Sequence, residues 1–365
     1  SGILLGLGLY AAGCMLFIPA GNAMAFWAFL VAYFVMTCGL SFLETTSNPY
    51  IIALGPEETG TRRLNLAQAF NPIGSLTGML VAKEIILSQL SRATEQERLA
   101  MRDSAPDALA AIQQNDLNIV SGPYLTLGVV VLAVFVAFAL LRLPRGVSEA
   151  PTTVAAPCRA GGGVLASFRR LLHNRRYVRS VGAQTCYIGA QIMVWTFIIQ
   201  YAEKELGMSK ATAQGYNMVA MSIFVASRFV CTFLLKYFRS STLLTVLAVG
   251  GSLLTLGVIF LHGMAGLYCL IAISACMSLM FPTIYGIALK GLGDDTKLAS
   301  AGLILAIGGG CLLPPLQGML IDKAVWFGEA FSSVRVSFVL SLLCFLAVAA
   351  FGRWVGKQSK AELTC

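Results

Sequence analysis

Ten runs of roughly 20 mostly apolar residues succeed one another along this 365-residue chain, and no other feature restricts its fold as strongly. They cover about 2–19, 26–54, 65–90, 121–143, 180–201, 215–237, 241–262, 264–289, 299–321 and 333–355. At 1.5 Å of rise per residue, 20 helical residues reach ~30 Å, the thickness of a bilayer's hydrocarbon core. Only 12% of the residues are charged, about half the share of a water-soluble chain, so soluble domains are excluded. Lipid offers backbone amides no partner, and each run must therefore satisfy its own hydrogen bonds as a helix. The expectation is an all-α integral membrane protein. The first run has no basic segment before it and no cleavage site after it, so it reads as a span and not as a signal peptide.

The formal charge of +9 does not point to nucleic acid. A nucleic-acid face interleaves arginines with stacking aromatics, whereas these arginines occupy short gaps between apolar runs. Cys14, Cys38, Cys186, Cys231, Cys269, Cys276, Cys311 and Cys344 lie inside the runs with no CxxC pair, as small packing residues do. With only His173 and His262 available, neither a metal centre nor a cofactor is expected. Lys and Arg divide between alternate sides of the runs as 17 against 8. The richer side includes Arg62, Arg63, eight arginines between 142 and 179, Lys236, Arg239, Lys290 and Lys297. By the positive-inside rule it is cytoplasmic, with the C-terminus. The acidic stretch from Ser91 to Asp116 then falls outside.

From Pro144 the chain changes character. The linker-like PRGVSEAPTTVAAPCRAGGG is followed by VLASFRRLLHNRR, in which Val164, Leu165, Phe168, Leu171 and Leu172 share a helical face opposite Arg169, Arg170, Arg175 and Arg176. That pattern fits a short helix lying on an anionic leaflet; a plain arginine-rich connector is the alternative. Either way the chain divides into an amino-terminal half (1–143), a cytoplasmic linker (144–179) and a carboxy-terminal half (180–365).

A weak repeat relates the halves. Pro49, LGPEET and GML (Gly78 to Leu80) are matched by Pro282, LGDDT and GML (Gly318 to Leu320), a period of six helices with a drifting offset. Two six-helix halves related by a pseudo-two-fold axis along the membrane normal form the major-facilitator arrangement. On this count about ten of twelve helices are present, the third to the twelfth, and the chain starts on the cytoplasmic side.

Polar groups at membrane depth mark pathways. Glu44 lies about ten residues, hence ~15 Å, before its helix leaves the membrane. Asn48 follows on the same face, and Pro49 removes a backbone donor. In RLNLAQAFNPIG, the residues Asn65, Gln68 and Asn71 recur every third position and spiral across one side. Gln184, Tyr187 and Gln191 repeat the theme, with Trp195 a turn further on. Amides offer two donors and an acceptor without titrating, and an aromatic ring suits the apolar face of a sugar. Hydrogen bonding between helices is the alternative use of such amides. Arg228, the one basic residue well inside a run, is assigned to a gate or a structural pairing.

LETTSNPY (43–50), RLNLAQAFNPIG (63–74), CYIGAQ (186–191) and FPTIYGIALKGLG (281–293) resemble the bacterial L-fucose:proton symporter family and its hexose-transporting relatives, over nearly the whole chain. The resemblance implies alternating access to a sugar site. Glu44 matches the family's fourth-helix acid, tied to proton coupling, and Gln68 and Asn71 match cavity amides of its fifth helix. A family acid on the first helix has no counterpart. The substrate-binding set expected is Asn48, Gln68, Asn71, Gln184, Tyr187 and Gln191, with Asn65, Pro49 and Arg228 as gate or structural residues.

The expected function is proton-coupled uptake of a neutral monosaccharide, L-fucose or a similar sugar, by a monomer in the bacterial inner membrane. A glucose, galactose or other hexose carrier with different ion coupling stays open, as does a sugar sensor that transports nothing. An enzyme is not expected: no HExxH, GxSxG or Walker motif occurs, and GLGLYAAG at Gly6 misses the GxGxxG spacing.

Overall fold

The computed structural model describes residues 2–87, 89, 95–140, 164–323 and 332–364. Every regular element among them is helical. The linker-like stretch 144–163 lies outside the described residues. In chain order the α-helices are α1 (Gly2–Met15), α2 (Phe17–Ala23), α3 (Phe26–Ala53), α4 (Glu57–Gln68), α5 (Phe70–Val81), α6 (Glu95–Ser104), α7 (Pro106–Leu140), α8 (Val164–His173) and α9 (Arg175–Leu206). They continue as α10 (Lys210–Leu234), α11 (Ser240–Phe260), α12 (Met264–Met277), α13 (Met280–Leu289), α14 (Thr296–Leu305), α15 (Gly309–Lys323), α16 (Ser333–Ser337) and α17 (Val339–Thr364).

Nine helical stretches among the described residues are long and apolar enough to cross a bilayer. The run expected at 65–90 is the exception. It is built from α4, α5 and a π-helical stretch, Ala82–Leu87. Arg62, Arg63, Asn65 and Gln68 make α4 polar. The Ala69 amide tightens onto Leu66 O at 3.1 Å, and Pro72 supplies no amide to Gln68 O in the preceding turn. A second difference is length: α7 starts at Pro106, fifteen residues before its expected apolar run, and carries Pro123 inside it.

The chain gathers into two compact units, residues 1–47 with 77–145 and residues 48–76 with 146–365. In the first unit α1 and α3 approach through glycine. A Cβ on Gly13 would stand 2.5 Å from Met36 Cα, and one on Gly6 would stand 2.9 Å from Leu43 Cγ. Cys14, Phe17, Ala32 and Met36 form a small core there, with Phe17 stacked on Tyr124 at 4.0 Å. In the second unit α4 packs among α8, α9, α13 and α14. Leu64, Leu171, Tyr177, Tyr285, Leu289 and Leu303 bury one another at that junction. Gly286 makes the approach of α4 to α13 possible, since a Cβ there would sit 2.6 Å from Thr61 Oγ1.

The amphipathic segment expected after Gly163 is the helix α8. Leu171 is tucked into that core, while Leu165, Phe168 and Leu172 stay exposed. Arg170 grips Asp295 with two bonds of 2.7 and 2.9 Å.

Candidate functional site

The second unit contains a connected polar seam that begins where prolines free backbone carbonyls. In an α-helix the amide of residue i+4 bonds the carbonyl of residue i, and proline has no such amide. Pro72 therefore leaves Gln68 O without its helical partner, and Pro282 does the same to Ser278 O. Arg228, on α10 and almost fully buried, takes both. Its Nη1 donates to Gln68 O at 2.9 Å and its Nε to Ser278 O at 2.6 Å. The guanidinium also lies 4.6 Å from the centre of the Phe224 ring. Two carbonyl dipoles and a π-face thus replace the carboxylate that a buried cation would otherwise seek. No carboxylate lies within ion-pair reach of Arg228 among the described residues, so its structural pairing is with these neutral groups.

From Gln68 the seam continues to α3. Gln68 Nε2 donates to Asn48 Oδ1 at 2.8 Å, leaving Asn48 Nδ2 buried with no partner. Asn65 bridges α4 to α13, donating to Thr283 Oγ1 at 3.3 Å as well as to Thr61 O at 2.9 Å. On α9, Tyr187 is fully buried and donates to Met277 O at 3.0 Å, the carbonyl next to the one Arg228 holds. One turn earlier Gln184 is equally buried, and neither its Nε2 nor its Oε1 has a partner. One turn later Gln191 is half-buried. Trp195 donates to Ser274 Oγ at 3.3 Å and meets Phe224 edge to face.

Asn48, Gln68, Tyr187 and Arg228 are therefore linked directly or through the 277–278 backbone. Asn65 shares α4 with Gln68, and Gln184 sits a turn away from Tyr187. Asn71 is exposed on α5, beyond the irregularity at Ala69. Glu44 is half-buried one turn before Asn48 on α3, inside the first unit.

Three participants carried no obvious mark in the sequence. Thr283 and Ser278 act through a hydroxyl and a carbonyl, and Ser278 was findable only through Pro282 four residues later. Arg63 is the third. Its guanidinium donates to Ile51 O at 3.3 Å, Ile52 O at 2.5 Å and Pro56 O at 3.1 Å, and also bonds Thr59 Oγ1. It satisfies the open carbonyls at the C-terminal end of α3.

Residues 2–301 match the family model described as Major Facilitator Superfamily. An L-fucose-proton symporter of Haemophilus influenzae is 46% identical over 354 residues, 96% of this chain and 80% of that protein. The chain belongs to the major facilitator superfamily, in its L-fucose–proton symporter family. A crystal structure of the Escherichia coli fucose:proton symporter superposes with a TM-score of 0.86 at 33% identity, covering 97% of this chain and 83% of that one. A glucose/galactose transporter of Brucella abortus is 28% identical over 98% of this chain and 78% of its own length. This member of the superfamily is thus a multi-pass membrane protein of the facilitator fold, and its relatives are transporters, not enzymes.

Proposed function

We propose that the chain carries a neutral monosaccharide, L-fucose or a close analogue, together with a proton, by alternating access across the bacterial cytoplasmic membrane, as a monomer with its C-terminus inside. The observation that carries this reading is the set of buried amide atoms left without partners in the seam, Gln184 Nε2 and Oε1 and Asn48 Nδ2. Unmet donors and acceptors at this depth cost ~1–3 kcal/mol each. A ring of hydroxyls, each both donor and acceptor, repays that cost, whereas an apolar or singly charged solute does not. The relatives named as L-fucose symporters support the choice of sugar.

The seam also supplies a gate of suitable strength. Arg228 and Asn65 hold α4 against α10 and α13 through bonds to neutral acceptors. Neutral pairs contribute ~0.5–1.5 kcal/mol each and bonds from a charged group ~1.5–3. A few such contacts can be broken and remade on each cycle when sugar binding favours one state. Their acceptors are carbonyls and hydroxyls, so the gate itself does not titrate near neutrality. Proton coupling then belongs to Glu44, a carboxyl at membrane depth one helical turn from Asn48.

The test is transport in proteoliposomes with an imposed proton gradient. L-fucose should accumulate uphill and be displaced by L-fucose more strongly than by galactose or glucose. Glu44→Gln should abolish uphill accumulation while exchange at equal sugar concentrations partly survives, because exchange needs no net proton release. Accumulation by Glu44→Gln with the unaltered gradient dependence would remove the coupling role from this residue. Preferential displacement by glucose or galactose would favour the second reading, a hexose carrier, to which the Brucella relative gives its support.

A further inference from the structure

A cavity of about 320 Å³ opens in the second unit beside the α4–α13 contact, and its charge is out of keeping with a sugar path. Arg62, Arg176, Arg239 and Lys290 line it, opposed by the single carboxylate of Glu58. The side chains of these four cations have no hydrogen-bond or ion-pair partner among the described residues. Arg176 Nε is shielded from solvent and unmet. Four cations converging on one hollow repel one another, and a shielded guanidinium nitrogen without an acceptor is costly.

The remaining walls are donors too. The first turn of α11 begins at Ser240, and no side chain caps it. Arg239 O accepts from Thr242 N and Leu243 N at 3.1 Å each, whereas the first amides of that 21-residue helix have no helical acceptor. The hydroxyl-bearing Ser240 and Ser241 line the same wall. A helix start with free amides and a positive dipole end, ringed by guanidinium and ammonium groups, matches a tetrahedral oxyanion of charge near −2.

We propose that this cavity is a phosphate-binding site, taking a free phosphate, a phosphomonoester or the phosphate of a lipid headgroup, and that occupancy holds α4 against α13. Arg62 and Glu58 come from α4. The other cations come from the end of α13 and the starts of α9 and α11. An anion between them bridges elements that part when α4 swings away, so it binds the packed state better and shifts the population toward it. The four cations belong to the side that the charge asymmetry assigns to the cytoplasm. Phosphorylated compounds there would restrain the carrier with no contact to its sugar site. That consequence rests on the alternating-access reading; the binding itself does not.

The experiment uses the protein in phosphatidylcholine nanodiscs and reads melting and cross-linking, neither of which needs transport. Inorganic phosphate should raise the melting midpoint saturably, and chloride at matched ionic strength should not. Arg176→Gln should weaken the phosphate dependence about tenfold or more, the loss of one charge-assisted bond. Lys290→Gln, at an exposed position that tolerates exchange, should weaken it similarly and covers the case in which the Arg176 variant fails to fold. Substituting phosphatidylglycerol for part of the lipid separates the sources. Protection by that lipid, competed by phosphate, identifies a headgroup, whereas protection by phosphate alone identifies a soluble ligand. The packing claim is read with Thr61→Cys and Gly286→Cys together, in a background without the native cysteines. Thr61 Cβ lies 3.2 Å from where a Cβ on Gly286 would stand, close to disulfide range. Phosphate should speed that disulfide severalfold. Equal stabilisation by chloride, or none by either phosphate or phosphatidylglycerol, overturns the site. Stabilisation with an unchanged cross-linking rate overturns the claim that it holds α4.

Discussion

The two compact units solve the problem of packing in lipid differently. Among the described residues nineteen polar side chains are buried, and only Ser121 belongs to the first unit. There α1 and α3 meet backbone to backbone, through Gly6, Gly13 and Gly39. In the second unit the helices are tied by side chains reaching carbonyls: Tyr177 to Ala299 O, Tyr187 to Met277 O, Tyr201 to Gly263 O and Arg228 to Ser278 O. Apolar surface gives no driving force for association inside a bilayer, so contact comes from close packing or from hydrogen bonds. The first unit relies on close packing, whereas the second combines it, as at Gly286 and Gly309, with hydrogen bonds. The contrast bears on where a sugar can be held. A glycine seam has nothing to offer a sugar, whereas a hydrogen-bonded seam in which some amide atoms remain unmet has both the scaffold and the spare valences.

A methyl group added to the glycine seam loads the first unit's packing most heavily. Gly13→Ala places a Cβ 2.5 Å from Met36 Cα, a backbone atom that cannot swing aside. Separation of α1 from α3 should cost ~3 kcal/mol or more, at the upper end for overpacked sites. It should appear as a large fall in the melting midpoint in detergent. Gly182→Ala in the second unit meets nothing within 4 Å and should leave the midpoint near its original value. Equal effects of the two would mean that the close approach at Gly13 does not hold α1 against α3.

Arg228→Gln tests the other mode of packing. One of the two carbonyls freed by Pro72 and Pro282 loses its donor, at ~1–3 kcal/mol. In a Pro72→Ala background Gln68 O regains a helical amide, so the same substitution should cost less, with a coupling of ~1 kcal/mol in a double-mutant cycle. Strict additivity in urea or thermal unfolding would show that Arg228 is not standing in for the missing amides.

How far this was legible in the sequence depends on which atoms do the work. The spans could be read because length and apolarity are properties of the side chains in one segment. Glu44, Asn48, Gln68 and Gln184 stood out because a polar residue in an apolar run is conspicuous. What Arg228, Tyr187 and Arg63 bond to was hidden, since their acceptors are backbone carbonyls, which every residue carries alike. Only proline betrays a carbonyl, by the amide it lacks. The run at 65–90 looked like one apolar span because its average masks a polar start, Asn65 to Gln68, which belongs to the end of α4. That helix is held by Leu64, Asn65 and Thr61 packing against α13, a long-range contact with no local signature.

Gln184→Leu separates a binding amide from a structural one by the sign of its effect. Both amide atoms are buried and unpartnered, so a leucine of similar volume relieves an unmet polar burden and should raise the melting midpoint, by ~1 kcal/mol. Sugar affinity should fall about tenfold or more, since a hydroxyl then loses its partner. A variant that is both less stable and unaltered in sugar binding would assign Gln184 to helix packing and leave the second unit's spare valences without a ligand.

A milder consequence concerns α8, which the second unit holds by charge as well as by packing. The bond from Arg170 holds the Asp295 carboxyl below the usual carboxylate range, helped by Ser167. A carboxyl whose folded value is depressed contributes stability above its unfolded value, ~3.9, and loses that contribution as pH falls through the folded one. Protection of α8 from proteolysis or amide exchange should therefore be flat from neutrality down to about pH 4 and decline below it. The Arg170 side chain is half in water, so the decline should be shallow and should weaken further in high salt. Asp295→Asn should show the reduced protection at every pH, with no titration step in this range. Leu171, buried in the core beside Tyr177 and Leu303, keeps the helix seated when the ion pair is gone. Release of the whole helix in Asp295→Asn would mean that charge, and not this one leucine with its neighbours, anchors α8.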